Sequence, residues 1–492
     1  MKDPAPLENP SIVSMGFHLR THDNPALQKA VSCGGAVIAV FILNENTGDE
    51  SVTRPLGGAS RWWLHHSLTK LEKDLNSLNI PLVLRRGCEH EIIQSMALET
   101  KAKAIFWNRR YEKQGIAFGK TMKDWAKDNE LIAESFNAAL LHEPHHFKTK
   151  AGGHFKVFTP FWKTYLANHE PPPALAPQPA AKTPSHSLKS DALDDWQLLP
   201  KNPNWAKSFE DMWVPGEKGA QKALDRFLEK GLQNYTHGRD IPSQQNTSML
   251  SPHLRFGEIS PAQIWHATKA AAIDAGVANA DKFLAEIGWR EFAHHLLYHN
   301  QNLRSENFNA KFDHFSWYQE EDHDTLLQAW AHGQTGYPIV DAGMRQLWQT
   351  GSMHNRVRMI VGSFLVKHLL IDWRRGEEWF WDTLLDACPA NNTASWQWIA
   401  GCGADAAPYF RIFNPILQGE KFDKQGEYVR RFVPELLNIS NKFIHKPWAA
   451  PAEDLAAAGI SLGQSYPKPV IDHAFARKRA LSVFNTMKQQ VA

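Results

Sequence analysis

The sequence lacks several features that would assign a function by themselves. Its four cysteines, Cys33, Cys88, Cys388 and Cys402, include no CxxC pair. Neither a paired-cysteine zinc site nor a disulfide framework is therefore indicated, and a reducing compartment is expected. No G-x-G-x-x-G and no G-x-x-x-x-G-K-[ST] occurs, which disfavours a Rossmann dinucleotide site and a P-loop. No apolar run approaches the roughly 18 residues of a membrane span, and the opening Met1-Lys2-Asp3-Pro4 leads into no apolar signal segment. A cytoplasmic protein without a membrane partner is expected. Net charge is only +2, so no global basic field advertises nucleic acid, and such binding must rest on particular residues. One run, His142-Glu143-Pro144-His145-His146, matches the H-E-x-x-H zinc motif letter for letter. Pro144 opposes the helix that would bring both end histidines to one face, so a loop and no metal are expected.

What the chain does have is tryptophan, 19 in 492 residues and more than a core requires. Indole is among the easiest side chains to oxidise by one electron. The length calls for two domains. In the first third, Ala36–Leu43 is a continuous apolar run of the kind buried on both faces of a parallel sheet. Ile12-Val13, Pro81–Leu84 and Ala104–Trp107 are shorter versions, and helical patterns lie between them at Trp62–Leu75 and Glu91–Glu99. This alternation predicts a Rossmann-like α/β domain over 1–140. Prolines 171, 172, 173, 177, 179 and 184 then predict an extended connector over 141–215. Beyond it helical periodicity prevails, as in Met359, Ile360, Phe364, Leu365 and Leu369, and an all-α domain is expected over 216–490.

Four stretches concentrate chemistry. Trp396–Arg411 combines two tryptophans, a small-residue turn, an aspartate and an arginine. Glu286, Trp289 and Arg290 fall at i, i+3 and i+4, on one face of a helix. His354-Asn355-Arg356-Val357-Arg358-Met359 sets an amide and a soft thioether one turn apart. Asn246–Gly257 opens with a hydroxyl-rich turn suited to a phosphate. Each alone also fits an ordinary cap, amphipathic helix or core. Together they suggest an aromatic-walled pocket for a flat ligand, with nucleic acid beside it.

These residues resemble the photolyase/cryptochrome flavoproteins over nearly the whole chain. The likeness runs from Thr21-His-Asp-Asn-Pro-Ala-Leu27 through Gly58–Leu68 and Thr335–Ala342 to Phe410–Pro415 and Gln418–Asp423. It implies an α/β domain joined to a helical FAD-binding domain. Tyr235 and the turn Thr247, Ser248, Met249, Leu250 and Ser251 would hold the FAD phosphates and ribityl chain. Arg358 would pair with Asp386 beside the isoalloxazine, and Asn392 would face its N5. Arg290, Asn355 and Cys388 are placed against the cofactor as well, Cys388 standing where the family commonly has a second aspartate. Trp396, Trp373 and Trp317 would carry electrons from the surface. Trp289 and Trp398 would stack on a flipped-out lesion, Glu286 and Asn355 would hydrogen-bond it, and Met359 would pack against it. Arg239, Arg290, Arg356 and Arg411 would meet DNA phosphates. An antenna chromophore is sought near Asn108-Arg-Arg-Tyr-Glu112. Gln114 and Gly115 replace the Asn–Glu pair of the folate type, leaving folate, deazaflavin or no antenna open.

The resemblance implies light-driven repair of cyclobutane pyrimidine dimers in UV-damaged DNA by a monomer. Asn355 and Met359 favour this over a (6-4) photolyase, which would be expected to carry histidines there. A cryptochrome sensor is the other alternative. It is disfavoured by helical sequence continuing to about Met487 with no long tail after it, and by Asn rather than Asp at 392.

Overall fold

The computed structural model describes residues 9–45, 54–184, 188–274, 280–406 and 410–490. The opening Met1-Lys2-Asp3-Pro4 and residues 407–409 of the Trp396–Arg411 run lie outside the described residues. The chain divides into two compact units. The first is Met1–Phe155, Pro160–Glu229 and Ser248–Gln301, and the second is Lys156–Thr159, Lys230–Thr247 and Asn302–Ala492.

In the first unit β1 (Ser11–Ser14), β2 (Val37–Leu43), β3 (Leu82–Arg86), β4 (Ala104–Asn108) and β5 (Ile132–Phe136) form one parallel sheet in the order β3-β2-β1-β4-β5. Ile12 stands in register with Ile38 on one side and Ile105 on the other. The helices α1 (Pro25–Ser32), α2 (Gly58–Asn76), α3 (Glu89–Thr100) and α4 (Lys113–Asp128) alternate with the strands. The four apolar runs became β1 to β4. The edge strand β5, Ile-Ala-Glu-Ser-Phe, is only half-buried and carries no apolar run to betray it.

The expected 141–215 connector is not a detached linker. Ala181 N–H donates to Leu78 O at 2.9 Å and Asp191 N–H to Leu84 O at 2.9 Å, while Ala36 and Lys182 form an isolated bridge. Prolines keep this segment extended, and the N–H groups between them still find acceptors in the first unit. Helix α5 (Ala280–His299) belongs to the first unit, where a Cβ on Gly288 would come within 2.5 Å of the Trp162 ring. Glu291 accepts from Leu141 N–H at 2.8 Å, and the His295 imidazole from Phe155 N–H at 3.1 Å. Helical periodicity reports which face is buried, not which unit buries it.

The second unit has no named strand among its described residues. Its helices include α6 (Pro338–Thr350), α7 (Asn355–Ser363), α8 (Trp373–Thr383), α9 (Pro389–Ala400) and α10 (His473–Gln490). They share a core containing Trp330, Val361, Leu365, Trp373 and Trp396. Asp341, fully buried near the start of α6, accepts from Thr335 N–H (2.7 Å), Thr335 Oγ1 (2.6 Å), Gly336 N–H (3.0 Å) and Tyr466 OH (2.6 Å), which compensates its burial. Gly376 leaves α8 without a side chain where the Trp396 indole lies against it.

Candidate functional site

The candidate residues are shared between the units, and each set has its own internal geometry. On α5 in the first unit, Trp289 is 37% exposed with its ring edge-on to Phe292 at 5.9 Å, and Glu286 is half-buried. The Arg290 guanidinium, at i+4 of this helix, is held by internal partners. Its Nη1 donates to Ala139 O at 2.6 Å and lies 3.4 Å from Glu291, and its side chain is mostly buried. The carbonyl and the neighbouring carboxyl capture the guanidinium. Burial pushes the Glu291 carboxyl from 4.5 up to about 7, against the pull of Arg290 and of the Leu141 and His142 N–H groups.

The hydroxyl turn at the head of the short helix Ser251–Arg255 also lies mostly in the first unit. Met249 takes a left-handed φ of +58°, Leu250 is buried, Ser248 is half-buried and Ser251 is exposed. A non-glycine residue in this conformation turns the chain sharply.

In the second unit Tyr235 is buried beneath Arg239, whose guanidinium lies 5.5 Å from the ring centre. Thr247 is half-buried. Arg358 on α7 donates through Nη2 to both Asp386 oxygens (2.9 and 3.2 Å) and through Nε to Met353 O (2.8 Å). Two residues further on, buried Cys388 caps α9 through its backbone alone. Asn392 is buried, and its Nδ2 donates to Glu377 O (3.0 Å) and Glu377 Oε1 (2.8 Å). Its carbonyl oxygen is thus the atom it can offer a ligand, as an acceptor. Asn355 is exposed and Met359 half-buried. Arg356, expected on phosphate, is held by Asp240 at 2.8 Å, by the Phe422 ring at 4.4 Å and by Met359 Sδ at 3.8 Å. A phosphate there would compete with Asp240. Arg411 is exposed.

The tryptophans occupy three distinct settings. Trp396 is buried edge-on against Phe380 (5.0 Å) and Trp330 (6.1 Å). Trp373 is fully buried, donates to Asn307 Oδ1 at 2.9 Å and lies under the Arg374 guanidinium at 4.6 Å. Trp317 is half-buried beside Phe315 at 4.5 Å. Trp398 is half-buried and donates to Asp405 O at 3.0 Å, the end of the small-residue turn that Gly401 opens at φ +99°.

Sequence reasoning missed four residues. Gln397, between the two tryptophans, donates to Leu303 O and Glu306 O and accepts from Phe308 N–H, clamping that segment. Glu377 orients Asn392, and Asn307 orients Trp373. His354 is the fourth. Burial lowers it to about 4, and Nδ1 accepts from Arg356 N–H at 3.2 Å. The proton therefore sits on Nε2, a buried donor with no hydrogen-bond partner. Thr236 Oγ1 in the same unit is also buried without one. Such groups can be satisfied by a polar ligand or by an ordered water. The only sequence signal was that His354 precedes Asn355.

The expected antenna stretch is occupied by its own bonds. Asn108 donates to Asn24 Oδ1 (2.8 Å), Arg109 pairs with Glu143 (3.2 Å), Arg110 with Glu89 (2.6 Å), and Tyr111 donates to Asn137 (3.1 Å). His142–His146 is a turn segment in which Glu143 faces Arg109 and His145.

Comparison with known proteins decides the family. Residues 13–182 match the DNA photolyase family, and 283–486 match the FAD binding domain of DNA photolyase. A deoxyribodipyrimidine photo-lyase of Agrobacterium fabrum is 51% identical over 480 residues, 98% of each chain. The chain belongs to the photolyase/cryptochrome family. FAD is the cofactor this membership brings. The crystal structure of a bacterial class III photolyase from Agrobacterium tumefaciens superposes with a TM-score of 0.93 at 50% identity, covering 99% of both chains. Cryptochrome-1 of Arabidopsis thaliana is 36% identical over 491 residues, 97% of this chain and 70% of that one. The α/β plus helical fold read from the sequence is the photolyase fold. Orphaned polar groups beside Tyr235 and Asn355, and the acceptor left on Asn392, are of the kind a flavin dinucleotide needs.

Glu291 gives a pH test on α5. Its pKa is raised by folding, so its stabilising effect is complete below about pH 4.5 and is lost as pH rises through about 7. Glu291→Gln should lose less stability than the parent between about pH 5 and about pH 8 in denaturant titrations. Equal losses would show that the carboxyl is not protonated in the native state.

Proposed function

We propose that the protein is a light-driven DNA repair enzyme that splits cyclobutane pyrimidine dimers. The observation that carries this reading is the 51% identity, end to end, with a deoxyribodipyrimidine photo-lyase. Reduced FAD, when bound, supplies on illumination the single electron that opens the ring and afterwards takes it back. The protein's task is to bind, orient and exclude water.

Tyr235 and the Thr247–Ser251 turn hold the dinucleotide's phosphates and ribityl chain. The Arg358–Asp386 pair, Cys388 and Asn392 line the isoalloxazine. The acceptor oxygen of Asn392 suits an N–H at N5, the hydrogen carried by a reduced flavin. The Nε2–H of His354 donates to an acceptor on cofactor or substrate. A dimer stacks poorly in duplex, so turning it out costs less than turning out an ordinary base. Trp289 and Trp398 then stack on it at roughly 1–3 kcal/mol per base. Glu286 and Asn355 hydrogen-bond it and Met359 packs against it, while Glu286 stabilises the transient radical anion of the substrate. Arg239 and Arg411 contact DNA phosphates directly. Arg290 and Arg356 contact phosphates as well, Arg356 in exchange for its bond to Asp240. Trp396, Trp373 and Trp317 relay electrons inward when the cofactor needs reduction. We assign a second chromophore to a cavity of about 430 Å³ at the ends of β2 and β3, lined by Leu43, Glu45, Arg61, Arg86, Gly87, Trp196 and Gln197. The protein is taken to act as a cytoplasmic monomer.

Illumination of the reduced holoenzyme with an oligonucleotide bearing one thymine dimer should yield two thymines, read by chromatography, with no conversion in the dark. Absence of conversion would overturn the repair reading and leave a light sensor. Glu286→Ala should lower the repair yield by about tenfold with FAD retained, and an unchanged yield would remove the carboxyl from the substrate. Trp396→Phe should abolish photoreduction of oxidised flavin and spare repair by chemically reduced enzyme. Photoreduction that persists would assign the donor elsewhere.

A further inference from the structure

At the turn from β3 into α3 the sequence reads Arg86-Gly87-Cys88-Glu89-His90-Glu91. The Cys88 thiol sulfur, an imidazole nitrogen of His90 and a carboxylate oxygen of Glu91 lie within 4.8 Å of one another. Among the described residues this is the one group of three such donors so close together. Sγ stands 3.1 Å from Nδ1 and 3.7 Å from Nε2 of His90. Those separations bracket the roughly 3.5 Å between sulfur and nitrogen ligands on one tetrahedral zinc.

The local fold produces this convergence. Gly87, at φ +134°, turns the chain, and Cys88 takes the N-cap of α3 in extended conformation. Glu89 is drawn inward onto Ser14 Oγ (3.0 Å) and Arg110 Nη2 (2.6 Å), so the residues on either side of it meet on the outer face. Cys88 and His90 are half-buried and Glu91 is exposed, which leaves solvent access to the cluster. A thiolate, a neutral imidazole and a carboxylate together balance a dication. A metal takes the thiolate form of cysteine. Sulfur with nitrogen selects a borderline-soft ion and rejects magnesium and calcium, which take oxygen.

We propose that Cys88, His90 and Glu91 bind a thiophilic divalent cation of the zinc class, with water in the fourth position. This site is independent of the flavin and of the repair reading. No cysteine pair marks this site in the sequence, because its second and third ligands are an imidazole and a carboxylate.

Cobalt(II) titration of the purified holoenzyme tests it, followed at wavelengths longer than the flavin bands. One equivalent should give the ligand-field absorption of a tetrahedral thiolate site, and zinc should displace it. Cys88→Ser should abolish the signal, and His90→Gln should weaken binding by about tenfold or more. Cys33→Ser, which removes the other half-exposed thiol, should leave it unchanged. Flavin absorbance reports that each variant is folded. Absence of thiolate absorption in the parent, its survival in Cys88→Ser, or its loss in Cys33→Ser would overturn the site.

Discussion

Arg358 and Asp386 form the joint from which the second unit's candidate residues hang. The pair ties the first turn of α7 to the segment that enters α9, and the added bond from Arg358 Nε to Met353 O fixes the guanidinium's plane. Asn355 and Met359 lie on one side of that joint, and Cys388, Asn392, Trp396 and Trp398 follow on the other. The Asp386 side chain is only 9% exposed, so the pair acts in a partly desolvated setting. Removing one partner of such a pair costs about 3–5 kcal/mol when burial is complete, and less here, because 26% of the Arg358 side chain meets solvent. The pair's value lies in geometry. It holds a positive group and its counter-charge where a flavin's carbonyls and ring nitrogens are expected.

Around that joint the structure uses amides and imidazole to point the functional groups. Glu377 takes both hydrogens of Asn392, Asn307 takes the indole hydrogen of Trp373, and Gln397 binds three backbone groups at once. Glu377 and Gln397 are buried and Asn307 half-buried, and specific partners of this kind fix a single orientation. Trp373 also lies beneath Arg374, which Asp372 and the Ser305 carbonyl hold in place. The middle tryptophan of the proposed relay therefore sits in a different field from Trp396, which meets Phe380 and Trp330.

Much of the fold was legible because burial leaves a pattern. Continuous apolar runs marked four of the five strands, and alternation with helices marked the parallel sheet. The edge strand β5 was illegible because it is half-exposed. The placement of α5 was illegible because periodicity carries no address, and the contacts with Trp162, Leu141 and Phe155 that place it are long-range. Candidate site residues came from the family resemblance, which named Arg358 with Asp386 as partners, and the structure pairs these two. Partner choice elsewhere was not legible. Arg290 turned to Ala139 and Arg356 to Asp240, since an arginine in a sequence does not declare which acceptor lies nearest. His354 became a buried donor only once its other nitrogen was seen to accept from Arg356.

The proposed flavin cradle takes its shape from the Arg358–Asp386 joint. The flavin content of purified Asp386→Asn, measured by absorbance against protein with helix content checked by circular dichroism, tests it most directly. The expected result is a folded protein that loses FAD during purification, with affinity lowered by about tenfold or more. A folded variant that keeps its full complement of flavin would contradict it.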